Sequence, residues 1–254
     1  MKRHLLRALL LLSSVVIAGL PAPLGAADAA APQAGPIRVL VITGGHDYET
    51  NRFLQLFKDT AGLSVQTAAH PAAQDWLKPD KAKDWDVLVL YDLWQDITEA
   101  EKADFLARLK EGKGLLALHH SLADYQNWPE FERIIGGRYN LAKRTVNGVE
   151  KPASIYQHGL HFRVRVANPQ HPVTQGVTDF DIEDETYGLF DVSAQVHALL
   201  TTDEPTSTKT IGWARTYEAA RVVYLQSGHD HTAYDNPNYR RLVANAIRWV
   251  AKRD

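Results

Sequence analysis

The chain carries 11 histidines, and the informative ones stand where apolar runs stop. His119 and His120 end the run Leu115, Leu116, Ala117, Leu118; His46 follows the run Ile37 to Thr43; His229 and His231 follow Val222 to Gln226. Imidazoles grouped with carboxylates suit two chemistries. One is a divalent cation such as zinc or manganese, held by imidazole and carboxylate with a position left open. The other is metal-free acid–base work, in which a histidine of near-neutral pKa takes a proton and a carboxylate orients it. Glu185, beside Asp184 and near Tyr187, is the carboxylate candidate, whereas most of the acidic run Asp179 to Glu185 reads as solvated surface. Spacing does not choose between the two chemistries, because no His-Glu-x-x-His element occurs. Asp47 adjoins His46, and Trp94, Trp128, Tyr187 and Tyr234 offer flat faces that can stack on a sugar ring. Ser121 lacks the Gly-x-Ser-x-Gly elbow of a hydroxyl nucleophile.

These side chains need a frame that brings them together. Ile37 to Thr43 and Asp86 to Tyr91 read as central strands, and Leu115 to Leu118 as a strand covered on both faces. Between them, Gly44-Gly45 permits a sharp turn into a helix over 50–61, and Leu63 to Thr67 makes a short strand. Thr98-Glu99-Ala100-Glu101 is a capping box that opens a helix ending near Gly112. A short helix over 129–135 stops at Gly136-Gly137, and 138–155 reads as an insertion or lid. Phe162 to Ala167 alternates with Arg163 and Arg165 outward, so it is a half-exposed strand. Further strands are read over 196–202, 210–214 and 222–226, and Asn236-Pro237 opens a C-terminal helix with Leu242, Ala246, Trp249 and Val250 at helical spacing. The alternation predicts an α/β three-layer sandwich with a mostly parallel central sheet of flavodoxin-like type. In such sheets ligands bind beyond the carboxyl ends of the strands, which is where the histidines fall.

Composition narrows the function. The chain has 254 residues, 45% hydrophobic and 23% charged, enough for one large core. A net charge of −2 supplies no basic excess, so a nucleic-acid partner is not expected. There is no cysteine, which excludes thiol nucleophiles, thiolate ligands and disulfides. Lys2, Arg3 and Arg7, the apolar stretch Ala8 to Leu20 and the small residues to Ala27 predict a secretory signal over 1–27, then a leader over 28–35 and one domain over 36–254. The protein is then periplasmic or secreted, with no membrane contact after cleavage; self-association is left open.

Several pieces match a known family as a set: Gly-Leu-Leu-Ala-Leu-His119, Gly136-Gly137, His171-Pro-Val-Thr-Gln-Gly176, Asp184-Glu-Thr-Tyr187 and Arg221-Val-Val-Tyr-Leu-Gln-Ser-Gly-His229. In this order they resemble the trehalose-utilisation ThuA-like proteins, whose fold is similar to class I glutamine amidotransferases. That resemblance implies the amidotransferase-like fold and a role in sugar metabolism, in particular with 3-keto derivatives of disaccharides. It also places His119 and His120 at the elbow where amidotransferases carry their cysteine, so glutaminase chemistry is excluded here. A keto group at C3 acidifies the protons at C2 and C4. On this reading His119, Glu185 and His229 hold a divalent metal (zinc or manganese) or the substrate, and His120 or His46 is the base for elimination, hydrolysis or isomerisation. Asp47, Trp94, Trp128, Tyr187 and Asp184 are expected to bind the sugar. A carbohydrate-binding accessory protein without turnover, and a metal-dependent hydrolase of esters or amides, are the competing readings.

Overall fold

In a computed structural model of the chain, residues 35–254 are described. The predicted signal, 1–27, and all but the last residue of the leader, 28–35, lie outside them.

Nine strands form one sheet: β1 Ile37–Gly44, β2 Leu63–Ala69, β3 Val87–Asp92, β4 Gly114–Leu118, β5 Ile155–Val166, β6 Phe180–Gly188, β7 His197–Thr201, β8 Thr210–Tyr217 and β9 Ala220–Leu225, ordered β2-β1-β3-β4-β9-β8-β7-β5-β6. The first five in that order are parallel, and the last four add an antiparallel wing. In register, Gly44 pairs with Asp92, Leu90 with Ala117 and Leu118 with Leu225, so β1, β3, β4 and β9 deliver their C-terminal loops to one edge.

Alternation along β4 explains the layers. Leu116 and Leu118 join a core with Phe53 and Phe57 of helix α1 (Thr50–Lys58) and Leu242, Val243 and Ala246 of helix α4 (Pro237–Val250). Leu115 and Ala117 join the opposite core with Phe105 and Leu109 of helix α2 (Glu99–Lys110) and Phe131, Ile134 and Ile135 of helix α3 (Pro129–Ile135). The result is the expected three-layer sandwich. Thr98 and Glu101 form the reciprocal capping box read from the sequence, and Gly136 ends α3 in the left-handed region at φ 86°.

Several elements differ from the sequence reading, among them β6, which reads in the sequence as a surface acidic run and is a largely buried strand. Helix α1 stops at Lys58, and the Thr60 hydroxyl donates to the Leu56 carbonyl at 2.8 Å. Strand β5 begins at Ile155, well before Phe162, because its first half gains backbone partners on β6 without burying a face, and such a strand has no hydrophobic period. The 138–155 insertion contains a hairpin, Arg144–Val146 with Val149–Lys151, turned by Asn147-Gly148 with both residues at positive φ. Arg144 and Lys151 tie it to Asp191, and Arg144 also to Glu132.

Candidate functional site

His119 occupies the elbow after β4. Its φ of 50° lies in the left-handed region, a strained setting for a non-glycine residue, and its side chain is fully buried. The Nδ1–H donates to the Gln226 carbonyl at 2.8 Å, which turns Nε2 toward the cluster. Around Nε2 stand the Tyr187 hydroxyl at 2.9 Å, Glu185 Oε2 at 3.0 Å and His229 Nδ1 at 3.3 Å. Glu185 Oε2 is in turn 3.2 Å from His229 Nδ1. Donors bound at zinc's usual ~2.0–2.1 Å stand roughly 3.3 Å apart, so these three atoms have the mutual spacing of one ion's ligands. They all lie within 4.8 Å of one another. Without a cation, the hydroxyl proton of Tyr187 can serve only one of two acceptors, and a further proton is needed between the others.

Burial works to raise the Glu185 carboxyl, yet hydrogen bonds from His119 and His229 hold it well below the usual carboxylate range. His229 is raised above its ordinary value chiefly by its hydrogen bond to Glu185. Asp184 sets the position of His229. Its carboxylate accepts from the Gly228 and His229 amides at 2.8 and 3.0 Å. Gly228 has φ 127°, and a Cβ there would stand 2.4 Å from the Tyr239 hydroxyl, so only glycine fits the loop.

His120 points to a different partner. Its Nδ1–H donates to the Asp92 carbonyl at 3.0 Å, and Nε2 is buried without any partner. Burial, then the neighbouring His119, pushes its pKa well below the ordinary histidine value, so it stays neutral with a free lone pair. Behind it lies a second polar cluster. His70 Nε2–H donates to Asp92 Oδ2 at 2.8 Å, the Tyr125 hydroxyl donates to the same oxygen at 3.1 Å, and Gln95 N–H donates to Asp124 Oδ1. Burial raises both carboxyls, and Asp124 is raised further by the neighbouring Asp92.

A cavity of about 530 Å³ opens over this edge. His120, Glu185, Tyr187, Leu93 and Ala123 are its buried lining; His46, Trp94, Leu141, Ile155, Tyr156 and His158 are its exposed lining. His46 stands with its ring centroid 5.2 Å from that of His120 and 6.0 Å from that of His229. His119, Glu185 and His229 therefore meet, His120, His46, Trp94 and Tyr187 line the same space, and the parallel sheet brings them there.

Five residues sit elsewhere. Trp128, expected on the sugar, stacks on Phe131 in the apolar core with ring centroids 5.9 Å apart. Tyr234 is fully buried and donates to the His229 carbonyl at 3.0 Å. Asp184, also expected on the sugar, has both oxygens occupied by backbone amides. Asp47 is exposed and outside the cavity lining. His231 pairs with Glu49, away from the cluster.

His158 is the residue the sequence reading passed over. Between Gln157 and Leu160 the pairing of β5 with β6 is interrupted, and this bulge sets His158 Nδ1 3.3 Å from Glu185 Oε1. The signal available was Gly159, which takes φ 63° there. Tyr139 and Tyr156 were missed for the same reason as the hairpin beside them: no periodicity marks them.

Solved structures share this fold. A ThuA-like protein of Parabacteroides merdae superposes with a TM-score of 0.69 at 18% identity, over 85% of this chain and 90% of its own. One from Bacteroides uniformis gives 0.66 at 20% identity, over 87% and 94%. A GMP synthase subunit of Thermoplasma acidophilum gives 0.52 at 12%, over 87% and 96%, in line with an amidotransferase-like fold. A comparison with curated proteins found no match. A family profile described as trehalose utilisation matches residues 38–250, and with the fold already established the chain belongs to the ThuA family.

Proposed function

We propose that the protein processes carbohydrate, acting on glycosides that carry a keto group by removal of a proton next to that carbonyl. The observation that carries this reading is the buried, unpartnered Nε2 of His120 in the cavity wall beside three converging donor atoms. Membership of a trehalose-utilisation family supports the substrate class.

His119 Nε2, Glu185 Oε2 and His229 Nδ1 fit a divalent cation of the zinc or manganese type, by spacing and by donor chemistry. When bound, such an ion supplies Lewis-acid polarisation of the substrate carbonyl. The protein's own groups do the rest. Gln226 fixes the His119 tautomer, Asp184 fixes the His229 loop, and Tyr187 donates a hydrogen bond into the same cluster. His120 takes the proton on Nε2; the C2–H electrons form a C1–C2 double bond as the glycosidic C1–O bond breaks, and the leaving oxygen takes a proton. His46, exposed and with its ring centroid 5.2 Å from that of His120, is the candidate to supply that proton. The predicted signal over 1–27 supports a periplasmic or secreted setting.

A specific observation favours a second reading. Glu185 held low and His229 held high also describe a proton-bridged pair, which needs no metal and fits a carbohydrate-binding protein without turnover. Elemental analysis and turnover of 3-keto glycosides separate the two. Near-stoichiometric metal in the native protein, its loss in His119→Ala/His229→Ala, and a rate loss of about 10²–10⁴-fold in His120→Ala with metal retained are expected. Undiminished turnover in every one of these variants would sink the assignment.

A further inference from the structure

The cavity has two chemically distinct halves. Its inner wall carries the groups that hydrogen-bond or ligate: His120, Glu185 and Tyr187, all buried. Its outer wall carries Trp94, Tyr156, Ile155 and Leu141, which are 62%, 60%, 47% and 44% exposed although apolar or aromatic. Large apolar side chains left in water around the mouth of a cavity mark a binding surface.

Trp94 carries a second mark. It has φ 57°, unfavourable for a bulky side chain, and its loop is locked in that shape. Leu93 N–H donates to the Gly44 carbonyl at 2.9 Å, Gln95 N–H donates to buried Asp124, and a Cβ on Gly45 would overlap the Leu93 carbonyl at 1.8 Å. An exposed indole is therefore held over the cavity by a strained and fully anchored turn, which surface packing alone does not require.

Aromatic platforms accept sugar rings as well as apolar groups, so the remaining lining must decide between them. A second sugar brings several hydroxyls that lose water on entry and need partners, and each left unpaired costs about 1–3 kcal/mol. Among the described residues, no Arg, Lys, Asp, Asn or Gln side chain lines the cavity. Toward the outside the polar groups are Ser154, His46, His158 and the tyrosine hydroxyls, and Ser154 Oγ is already engaged by Asn140 N–H and the Leu189 carbonyl. One sugar ring can be satisfied by the inner wall; a second has few partners in the outer one.

Resting on the glycoside reading above, we infer that the outer half is an aglycone subsite, and that the substrate is a glycoside whose leaving group is apolar and flat, of the aryl type, packed against Trp94 and Tyr156. Equilibrium binding of phenyl glucoside, methyl glucoside and trehalose to the full-length chain tests this, with metal content measured on the same samples. Phenyl glucoside should bind about tenfold more tightly than either of the others. Trp94→Ala, at an exposed position and checked for an unchanged unfolding temperature, should reduce that ratio to about two; Trp94→Phe should restore most of it. Equal affinity for phenyl and methyl glucosides, tighter binding of trehalose, no binding of any of the three, or a preference that survives in Trp94→Ala would each overturn the inference. A phenyl preference in protein that takes up no metal would sink the metal reading alone and leave the subsite standing.

Discussion

Two clusters in this protein are built from the same atoms, and they are arranged for opposite purposes. His119, Glu185 and His229 bring two imidazoles and a carboxylate within 4.8 Å of one another, and His70, Asp92 and Asp124 bring one imidazole and two carboxyls equally close. In the second, protein donors reach both carboxyls: His70 and Tyr125 donate to Asp92, and the Gln95 amide donates to Asp124. It is sealed from the cavity and serves as a bracket, holding His120 through the Asp92 carbonyl and the Trp94 loop through Asp124. In the first, Glu185 and Tyr187 face the cavity. Access to the cavity, more than residue type, separates the two clusters.

Zinc titration is the strongest way to break that contrast. His229→Ala should weaken binding at least a hundredfold, whereas His70→Ala should change it by less than about threefold; the reverse order would exchange the two roles. The same titration has a pH signature. A ligand must be unprotonated, and His229 is raised by Glu185, so affinity should climb about tenfold per unit below the His229 pKa and level off above it. A flat profile would remove His229 from the ligand set.

Next in size is the loss of the bracket. Asp92→Ala leaves His70 and Tyr125 without their shared acceptor in a buried space, and should cost about 2–4 kcal/mol in denaturant unfolding. A cost under 1 kcal/mol would mean that the cluster is not structural.

The smallest effect is the most diagnostic of a shared proton. Asp124 is raised above its unfolded value of 3.8 by burial and by Asp92, so its contribution to stability is fully present below that value and is lost as pH rises toward the folded pKa. Asp124→Asn keeps an acceptor for Gln95 and a donor for Asp92 and does not titrate. Its unfolding temperature should match the native protein near pH 4 and exceed it by a margin that widens as pH rises to 9. An unfolding temperature below the native one at alkaline pH would show that Asp124 is ionised in the fold.

Most of the parallel half of the sheet was legible because β1, β3, β4 and β9 are largely buried on both faces, and apolar runs with glycine punctuation announce that state. The wing was legible only in part. In β5 the half-exposed stretch from Phe162 alternates and was read, while Ile155 to His161 has no pattern because backbone pairing, not burial, keeps it extended. At the site, Asp184 and Glu185 are neighbours in an acidic run that reads as surface, yet successive strand residues point to opposite faces. One turns to the amides of the His229 loop and the other to the histidines. Trp128 reads like Trp94 in the sequence, and only packing against Phe131 separates them.

By itself the sequence determined the α/β sandwich, the edge at which His46, His119, His120 and His229 emerge, and the family, because all three follow from local apolar patterning and from motifs carried in order. Tertiary structure alone decided that Asp184 turns to the His229 loop, that a bulge adds His158, that Trp128 is core while Trp94 is held open over the cavity, and that Asp92 and Asp124 brace the site from behind. Those outcomes depend on register, strand face and packing between segments far apart in the chain, and no local pattern of residues encodes them.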